Sequence, residues 1–131
     1  DLHVRSRRQR QMCIRDRDNS LVSRMFRNQI GNFGVSNLKS YNQNMVTDYA
    51  IYPSVEKTWG YGILLNNQPI EKRRAEHSGG WAGLLNTYFW VDHKNDLAGV
   101  FLTQILPCYS HQLLKAFESF EELSYKFCVK S

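Results

Sequence analysis

Two stretches of the chain space their apolar residues as amphipathic helices do. Residues 20–30 carry apolar side chains at i, i+1, i+4 and i+5, and Gly31 and Gly34 follow at a natural end. Near the C-terminus, Ser110 can serve as an N-cap for a second helix. Its predicted core-facing stripe consists of Leu113, Phe117, Phe120, Ser124 and Phe127, flanked by Leu114 and Leu123. We expect this stripe to pack on a sheet.

The residues between these helices predict three strands. Residues 59–66 alternate in a way that is typical of a strand. Residues 84–91 are rich in aromatic and β-forming residues and predict a strand buried on both faces, which a polar turn joins to a partner strand at 97–104. Residues 35–57 show no clean period and predict an irregular connection. Three antiparallel strands and two helices indicate the α+β fold class, with one sheet edge left free.

Composition adds one unusual feature, which is the distribution of charge. The chain has 131 residues, 42% of them hydrophobic, and a net charge of +5, and it has no apolar run near the roughly 20 residues that cross a membrane. Six of the 17 basic residues lie within residues 1–17, whereas residues 18–131 hold 11 basic and ten acidic residues and carry a net charge of +1. The charged run at 71–74 is expected to be solvated.

The basic N-terminal stretch has an interpretation outside protein chemistry. Residues 7–16, RRQRQMCIRD, correspond codon by codon to an adapter of transposase-based DNA libraries, and residues 1–3 match the end of a flow-cell primer. We therefore interpret residues 1–17 as a non-native tail, either disordered or an unrelated helix, and expect the native sequence of residues 18–131 to continue upstream. Nucleic-acid binding by a basic arm is the alternative if the tail is native.

Single polar residues give weak signals for chemistry. His77 precedes Ser78, but adjacent residues seldom place a base and a nucleophile in hydrogen-bond geometry, so we expect His77 to line a turn. His93 and His111 are expected to be exposed, and the histidines lack the spacing of a zinc site. The two cysteines of residues 18–131, Cys108 and Cys128, are expected to be buried or half-buried without a metal.

Aromatic residues recur in the predicted strands and allow two interpretations. Trp59, Tyr61, Tyr88, Phe89 and Trp90 could form a stacking surface for single-stranded nucleic acid. Because residues 18–131 are nearly neutral and lack a basic stripe, we expect core packing and no nucleic-acid partner. A small non-enzymatic α+β module that holds a peptide or glycan on its aromatic strand remains an alternative function.

The order of these segments resembles the C-terminal part of the serine β-lactamase-like family. That family includes class C β-lactamases, penicillin-binding DD-peptidases and esterases of the same fold. The resemblance covers nearly all of residues 20–127 and is most specific over residues 81–104, which include the strings NTYFWVD and AGVFLTQ. The esterase-type members are the most similar, because a W-x-G segment stands where the penicillin-recognising enzymes carry K-T-G.

The resemblance implies a set of site residues. Trp81-Ala82-Gly83 would be the third motif of the family, and the backbone N–H of Leu84 would supply one half of an oxyanion hole. The alternative third motif is His77-Ser78-Gly79, which resembles the H-x-G variant of the family. In both placements the small residues would let a substrate lie against the edge of the strand.

The remaining motifs of the family are not matched. Its nucleophile lies in S-x-x-K, and Ser36-Asn37-Leu38-Lys39 has that spacing, but it lies in an Asn-rich connection 45 residues before Trp81, and we interpret it as a chance match. The segment 41–43 ends in Gln rather than in the Asn of Y-x-N. We therefore expect an inactive C-terminal fragment of a hydrolase that acts on a small ester or amide without metal or organic cofactor. Its partner would be the missing N-terminal part of the same domain, and no membrane partner is evident.

Overall fold

The computed structural model describes residues 19–49 and 51–129 in two helices and five strands. The interpretation of residues 1–17 as a foreign tail lies outside these ranges. The helices are α1 (Asn19–Met25) and α2 (His111–Cys128), and the strands are β1 (Lys57–Trp59), β2 (Leu64–Asn66), β3 (Gly79–Gly83), β4 (Thr87–Asp92) and β5 (Leu97–Phe101). Within the described ranges, neither helix combines the length and apolar character that a membrane crossing needs.

The five strands form one antiparallel sheet in the order β1-β2-β3-β4-β5. The α+β class is confirmed, but the expectation of three strands is wrong. The predicted strand at 59–66 is a hairpin, because the chain reverses between β1 and β2 with Gly60 N–H donating to Ile63 O at 2.9 Å. Gly62 adopts a positive φ of 71° in this turn, a conformation open to glycine, and Tyr61 is left exposed.

Strands β4 and β5 form the predicted hairpin with two corrections. Residues 84–86 belong to a turn, so β4 begins at Thr87, and β5 ends at Phe101 rather than at residue 104. Burial along β4 alternates: Tyr88 and Trp90 are buried, while Phe89 is 37% exposed. The strand is therefore buried on one face, because α2 covers only that face of the sheet. Tyr88 and Trp90 confirm the expectation of core packing and Trp59 is partly buried against the core, but the expectation is wrong for Phe89 and Tyr61, which are exposed.

Helix α2 packs its aromatic face on this side of the sheet. The Phe117 ring stacks on Tyr88 with centroids 4.6 Å apart and meets Trp90 edge-on at 5.9 Å. The buried positions of α2 are Leu114, Phe117, Glu121 and Tyr125. The predicted stripe is thus misplaced toward its C-terminal end, where Phe127 is 75% exposed. Ser110 flanks the helix at the N-cap position, but its side chain makes no capping hydrogen bond.

The long connection before the sheet is irregular, as predicted, and it completes the core. Tyr49, Ile51 and Tyr52 are buried in the cluster that contains the aromatic residues of β4 and α2. Helix α1 ends at Met25, five residues before the predicted end, because the chain then turns to follow β1, with Gln29 N–H donating to Trp59 O at 2.7 Å.

Candidate functional site

The two halves of β3 differ in how their edges are paired. All five residues of β3 pair with β4, but only Gly79 and Gly80 pair with β2. Trp81, Ala82 and Gly83 therefore have an edge with no strand partner among the described residues. Asn66 N–H donates to Ser78 O at 3.1 Å, and because backbone groups alternate along a strand, Ala82 turns its N–H and C=O toward this open edge.

A tight turn follows the open half of β3. Asn86 N–H donates to Gly83 O at 3.1 Å, so Leu84 and Leu85 occupy the two central positions of a four-residue turn. Gly83 O also accepts a hydrogen bond from Cys108 Sγ at 3.4 Å. Leu84 is half exposed, and its N–H has no hydrogen-bond partner in the described part of the chain. An N–H without a hydrogen-bond partner at the end of an open strand edge can bind an oxygen of a ligand.

Aromatic residues border the open edge. The Trp81 ring lies 4.6 Å from that of Trp59 and 6.3 Å from that of Tyr49, measured between ring centroids. Behind Trp81 and Ala82 the core contains a small cavity of about 30 Å³. The cavity leaves little room for a ligand behind these residues, whereas the edge of Trp81–Gly83 is open along its length.

The alternative motif lies in the fully paired half of this region. Ser78 is 1% exposed, its N–H donates to Ala75 O at 3.2 Å, and its C=O accepts from Asn66. The Ser78 hydroxyl donates to Ala75 O at 2.7 Å, so Ser78 is not bonded to His77 as a nucleophile would be to its base. His77 is exposed and lies 3.3 Å from a Glu76 carboxylate oxygen, which agrees with a histidine in a turn.

A buried charged network fixes the loop that leads into β3. Arg74 donates to the Glu121 carboxylate from Nε at 2.6 Å and from Nη2 at 3.0 Å, and Tyr52 donates to Glu121 Oε2 at 2.6 Å. Burial opposes the charge on Arg74, but its pairing with Glu121 raises its pKa above the ordinary value. The prediction of a solvated 71–74 run is therefore wrong at Arg74, because α2 brings a buried carboxylate to it.

Two S-x-x-K strings occur in the described part, and neither forms a nucleophile–base pair. Ser36 and Lys39 are both exposed and lie outside any helix.

The second S-x-x-K string is Ser54-Val55-Glu56-Lys57, which the motif analysis of the sequence does not include. Lys57 Nζ is buried and donates to Tyr52 O at 2.6 Å and Val55 O at 3.0 Å rather than to Ser54. Burial lowers the pKa of Lys57, and the nearby positive charge of Arg74 lowers it further.

The other single-residue expectations have mixed outcomes. His93 is exposed and meets the Phe26 ring edge-on at 4.1 Å, and His111 is exposed at the start of α2. Cys108 is buried as expected, but Cys128 is exposed because it lies on the outer face of α2. Residues 19–49 and 51–129 contain no group of three or more side chains that could hold a metal ion.

Comparisons with known proteins give one informative result. No protein-family model matches the chain, and no curated protein matches it. Among solved structures, the chain is similar to simvastatin synthase (LovD) from Aspergillus terreus, with a TM-score of 0.56 and 18% identity. The match covers 57% of this chain and 19% of the LovD chain. At this identity the likeness shows the fold alone, which is part of the β-lactamase-like fold.

Proposed function

We propose that this chain is the C-terminal part of a serine hydrolase of the β-lactamase-like fold, more similar to carboxylesterases than to β-lactamases. The observation that carries the proposal is the open edge of Trp81–Gly83, which ends in the unpartnered N–H of Leu84. In the complete enzyme, a serine outside this chain would attack the carbonyl of a small ester or amide. The alcohol or amine would leave, and water would hydrolyse the acyl-serine intermediate.

The open edge would hold the substrate during this reaction. Ala82 N–H and C=O would bind the substrate backbone or its polar groups as a neighbouring strand would. Leu84 N–H would donate to the oxygen that becomes negative in the tetrahedral intermediate, and such a donor contributes about 3 kcal/mol to transition-state stabilisation. His77, Ser78 and Gly79 already use backbone hydrogen-bonding groups in contacts with β2 and with the preceding loop, so these groups are not open to a substrate. This supports Trp81-Ala82-Gly83 as the third motif.

The proposed partner is the N-terminal part of the same domain. Within the described residues β5 pairs only with β4, so its outer edge is available to a further strand. Val100, at 59% exposure, and Leu102, at 75%, lie on or next to β5. Edges and apolar surfaces of this kind are covered in stable proteins, and the N-terminal part of the domain would cover them here.

The test is to read the DNA upstream of codon 18 at its source and to express the extended protein. We expect the new sequence to contain S-x-x-K followed by Y-x-N, and the extended protein to hydrolyse a p-nitrophenyl ester. Residues 18–131 alone should show no turnover. An upstream sequence that lacks both motifs, or turnover by residues 18–131 alone, would contradict the proposal.

The role of Leu84 can be tested by removing its N–H with proline. Leu84 is the second residue of the turn, where proline is favoured, and its φ is negative. In the extended enzyme, Leu84→Pro should lower kcat about 100- to 1000-fold. The matched control, Leu84→Ala, shortens the side chain but keeps the N–H, and should retain most of kcat. Equal losses in the two variants would exclude the N–H as the oxyanion donor.

A further inference from the structure

The turn that carries Leu84 ends in a residue with an unusual environment. Asn86 is 0% exposed although Leu84 is half exposed, and its φ is 56°. A positive φ is tolerated by glycine and, among other residues, by Asn more than most. Glycine could therefore supply the backbone shape of this turn, so the presence of a buried amide side chain needs a further reason.

The side chain of Asn86 uses its full hydrogen-bonding capacity. Its Oδ1 accepts from Tyr88 OH at 2.6 Å and from Tyr109 N–H at 2.8 Å. Its Nδ2 donates to Ile105 O at 2.7 Å and to Pro107 O at 2.8 Å. Two donors and two acceptor sites are all that a primary amide offers. Asn86 thus connects β4 and the segment before α2 to the turn.

The backbone of Asn86 extends this connection to the peptide unit that contains the Leu84 N–H. Asn86 N–H donates to Gly83 O, and the buried thiol of Cys108, whose pKa is raised by burial, donates to the same oxygen. Gly83 O and Leu84 N–H belong to one peptide group, and a peptide group is planar. Holding the carbonyl in place therefore fixes the direction of the N–H on the opposite side of the plane.

We propose that Asn86 is a positioning residue that holds the 83–84 peptide so that Leu84 N–H points past the open edge of β3. This inference rests on the function proposed above, since it assigns a purpose to that N–H. Asn86 acts through the peptide and does not touch the substrate. Thr103 supports the same turn, because its hydroxyl donates to Leu85 O at 2.6 Å.

The first test uses NMR on the ¹⁵N-labelled 131-residue chain and does not require activity. Asn86→Gly allows the positive φ and removes all four side-chain hydrogen bonds. We expect the heteronuclear NOE of residues 84–86 to fall and the Leu84 amide signal to shift. The matched control is Asn66→Ala, which also removes a buried amide with two Nδ2 donations to carbonyls, to Gln68 and Ala75, but before β3. It should leave the Leu84 signal unchanged.

Two further results make the test decisive. If Asn86→Gly does not fold, Tyr88→Phe removes one hydrogen bond from Asn86 while keeping the stacked ring, and the same signals should move by a smaller amount. Unchanged order at 84–86 in a folded Asn86→Gly, or in Tyr88→Phe, would overturn the proposal. Equal changes in Asn66→Ala would overturn it too, because they would show a general loss of structure.

The second test uses the extended enzyme. Asn86→Gly should lower kcat up to about 100-fold with KM changed less than about twofold, since misplacement of a catalytic group costs rate more than binding. A purely structural role would reduce the yield of folded enzyme and leave kcat per active site unchanged. If the extended protein hydrolyses no ester but the NMR result holds, the proposed function fails while the positioning role of Asn86 stands.

Discussion

The two ends of β3 are held by different chemistry. At the N-terminal end, the chain entering the strand is fixed by charged groups: Arg74 with Glu121, and Asp92 accepting from Ala75 N–H at 2.8 Å. At the C-terminal end, the side chains in the described residues that hold the turn by hydrogen bonds are neutral, namely those of Asn86, Thr103, Cys108 and Tyr88, and Tyr109 adds its backbone N–H. The first end is paired on both sides, whereas the second is open.

This difference agrees with the function proposed above for the C-terminal end. Charges paired in the interior lock a loop strongly, because loss of one partner leaves the other unpaired in a medium of low dielectric. A negative charge next to an oxyanion donor would oppose the charge that develops in the transition state, whereas neutral amides and hydroxyls hold a turn without that penalty. The anchoring charges lie at the end of β3 away from the candidate site, as the proposed role of Leu84 N–H requires.

The largest expected effect comes from breaking the charged end. Glu121→Ala removes the carboxylate from buried Arg74 and from Tyr52, and it should destabilise the fold by about 3–5 kcal/mol, measured by denaturant unfolding. The control is Glu122→Ala on the same helix. It removes a half-exposed carboxylate that lies 3.6 Å from the Arg73 guanidinium, and it should cost less than about 1 kcal/mol. Similar losses in the two variants would mean that the buried pair is not the anchor.

The second, smaller effect is a loss of stability at acidic pH through Asp92. Burial opposes ionisation of Asp92, but hydrogen bonds from Ala75 N–H, Asn95 and Tyr125 lower its pKa below the ordinary value. Because the folded pKa lies below the unfolded one, the stabilisation is complete above the unfolded pKa of about 3.9 and is lost as pH falls through the folded pKa.

The variant that checks this is Asp92→Asn. It should lower the free energy of unfolding at pH 7 by about 1.5–3 kcal/mol, because the hydrogen bonds to the charged carboxylate are lost. The difference in unfolding free energy between wild type and variant should narrow as the pH falls below about 4 and close only below the folded pKa. Equal gaps at pH 7 and pH 3, measured by urea unfolding at both pH values, would show that folding does not lower the pKa of Asp92.

The smallest expected effect tests the hydrogen bond of Thr103 to the turn at the C-terminal end of β3. Thr103→Val keeps the shape of the side chain and removes its hydrogen bond to Leu85 O, at a cost of about 1 kcal/mol. Thr58→Val is the matched control, since it removes a hydroxyl hydrogen bond to Asn67 Oδ1 at 2.9 Å in β1. Both should lower stability by similar amounts, but only Thr103→Val should lower the heteronuclear NOE of residues 84–86. Loosening of the turn in both variants would contradict local anchoring.

Local patterns predicted the elements whose signals lie within one segment. The β4–β5 hairpin follows from two β-rich runs around a polar turn, and α2 follows from an apolar spacing of three and four residues. The sequence does not predict the hairpin of β1 and β2, because the apolar alternation of residues 59–66 continues through its turn. The assignment of Trp81-Ala82-Gly83 and Leu84 as site residues stays a prediction that the geometry favours.

No segment of the sequence marks Asn86, Arg74 or Glu121 as buried. Each is polar and sits among turn or charged residues, and its burial depends on partners 21 to 47 residues away, such as Pro107 for Asn86 and Glu121 for Arg74. A periodicity argument assigns polar residues to the surface, so it could not place them.

The sequence by itself determined the fold class, the β4–β5 hairpin and the C-terminal helix of this protein, because hydrophobic periodicity is a local property of the chain. Only the tertiary structure decided which half of β3 is open and which groups fix the two ends of the strand. Those features depend on the register of β2 against β3 and on contacts between segments far apart in the chain, and no local pattern encodes such distances.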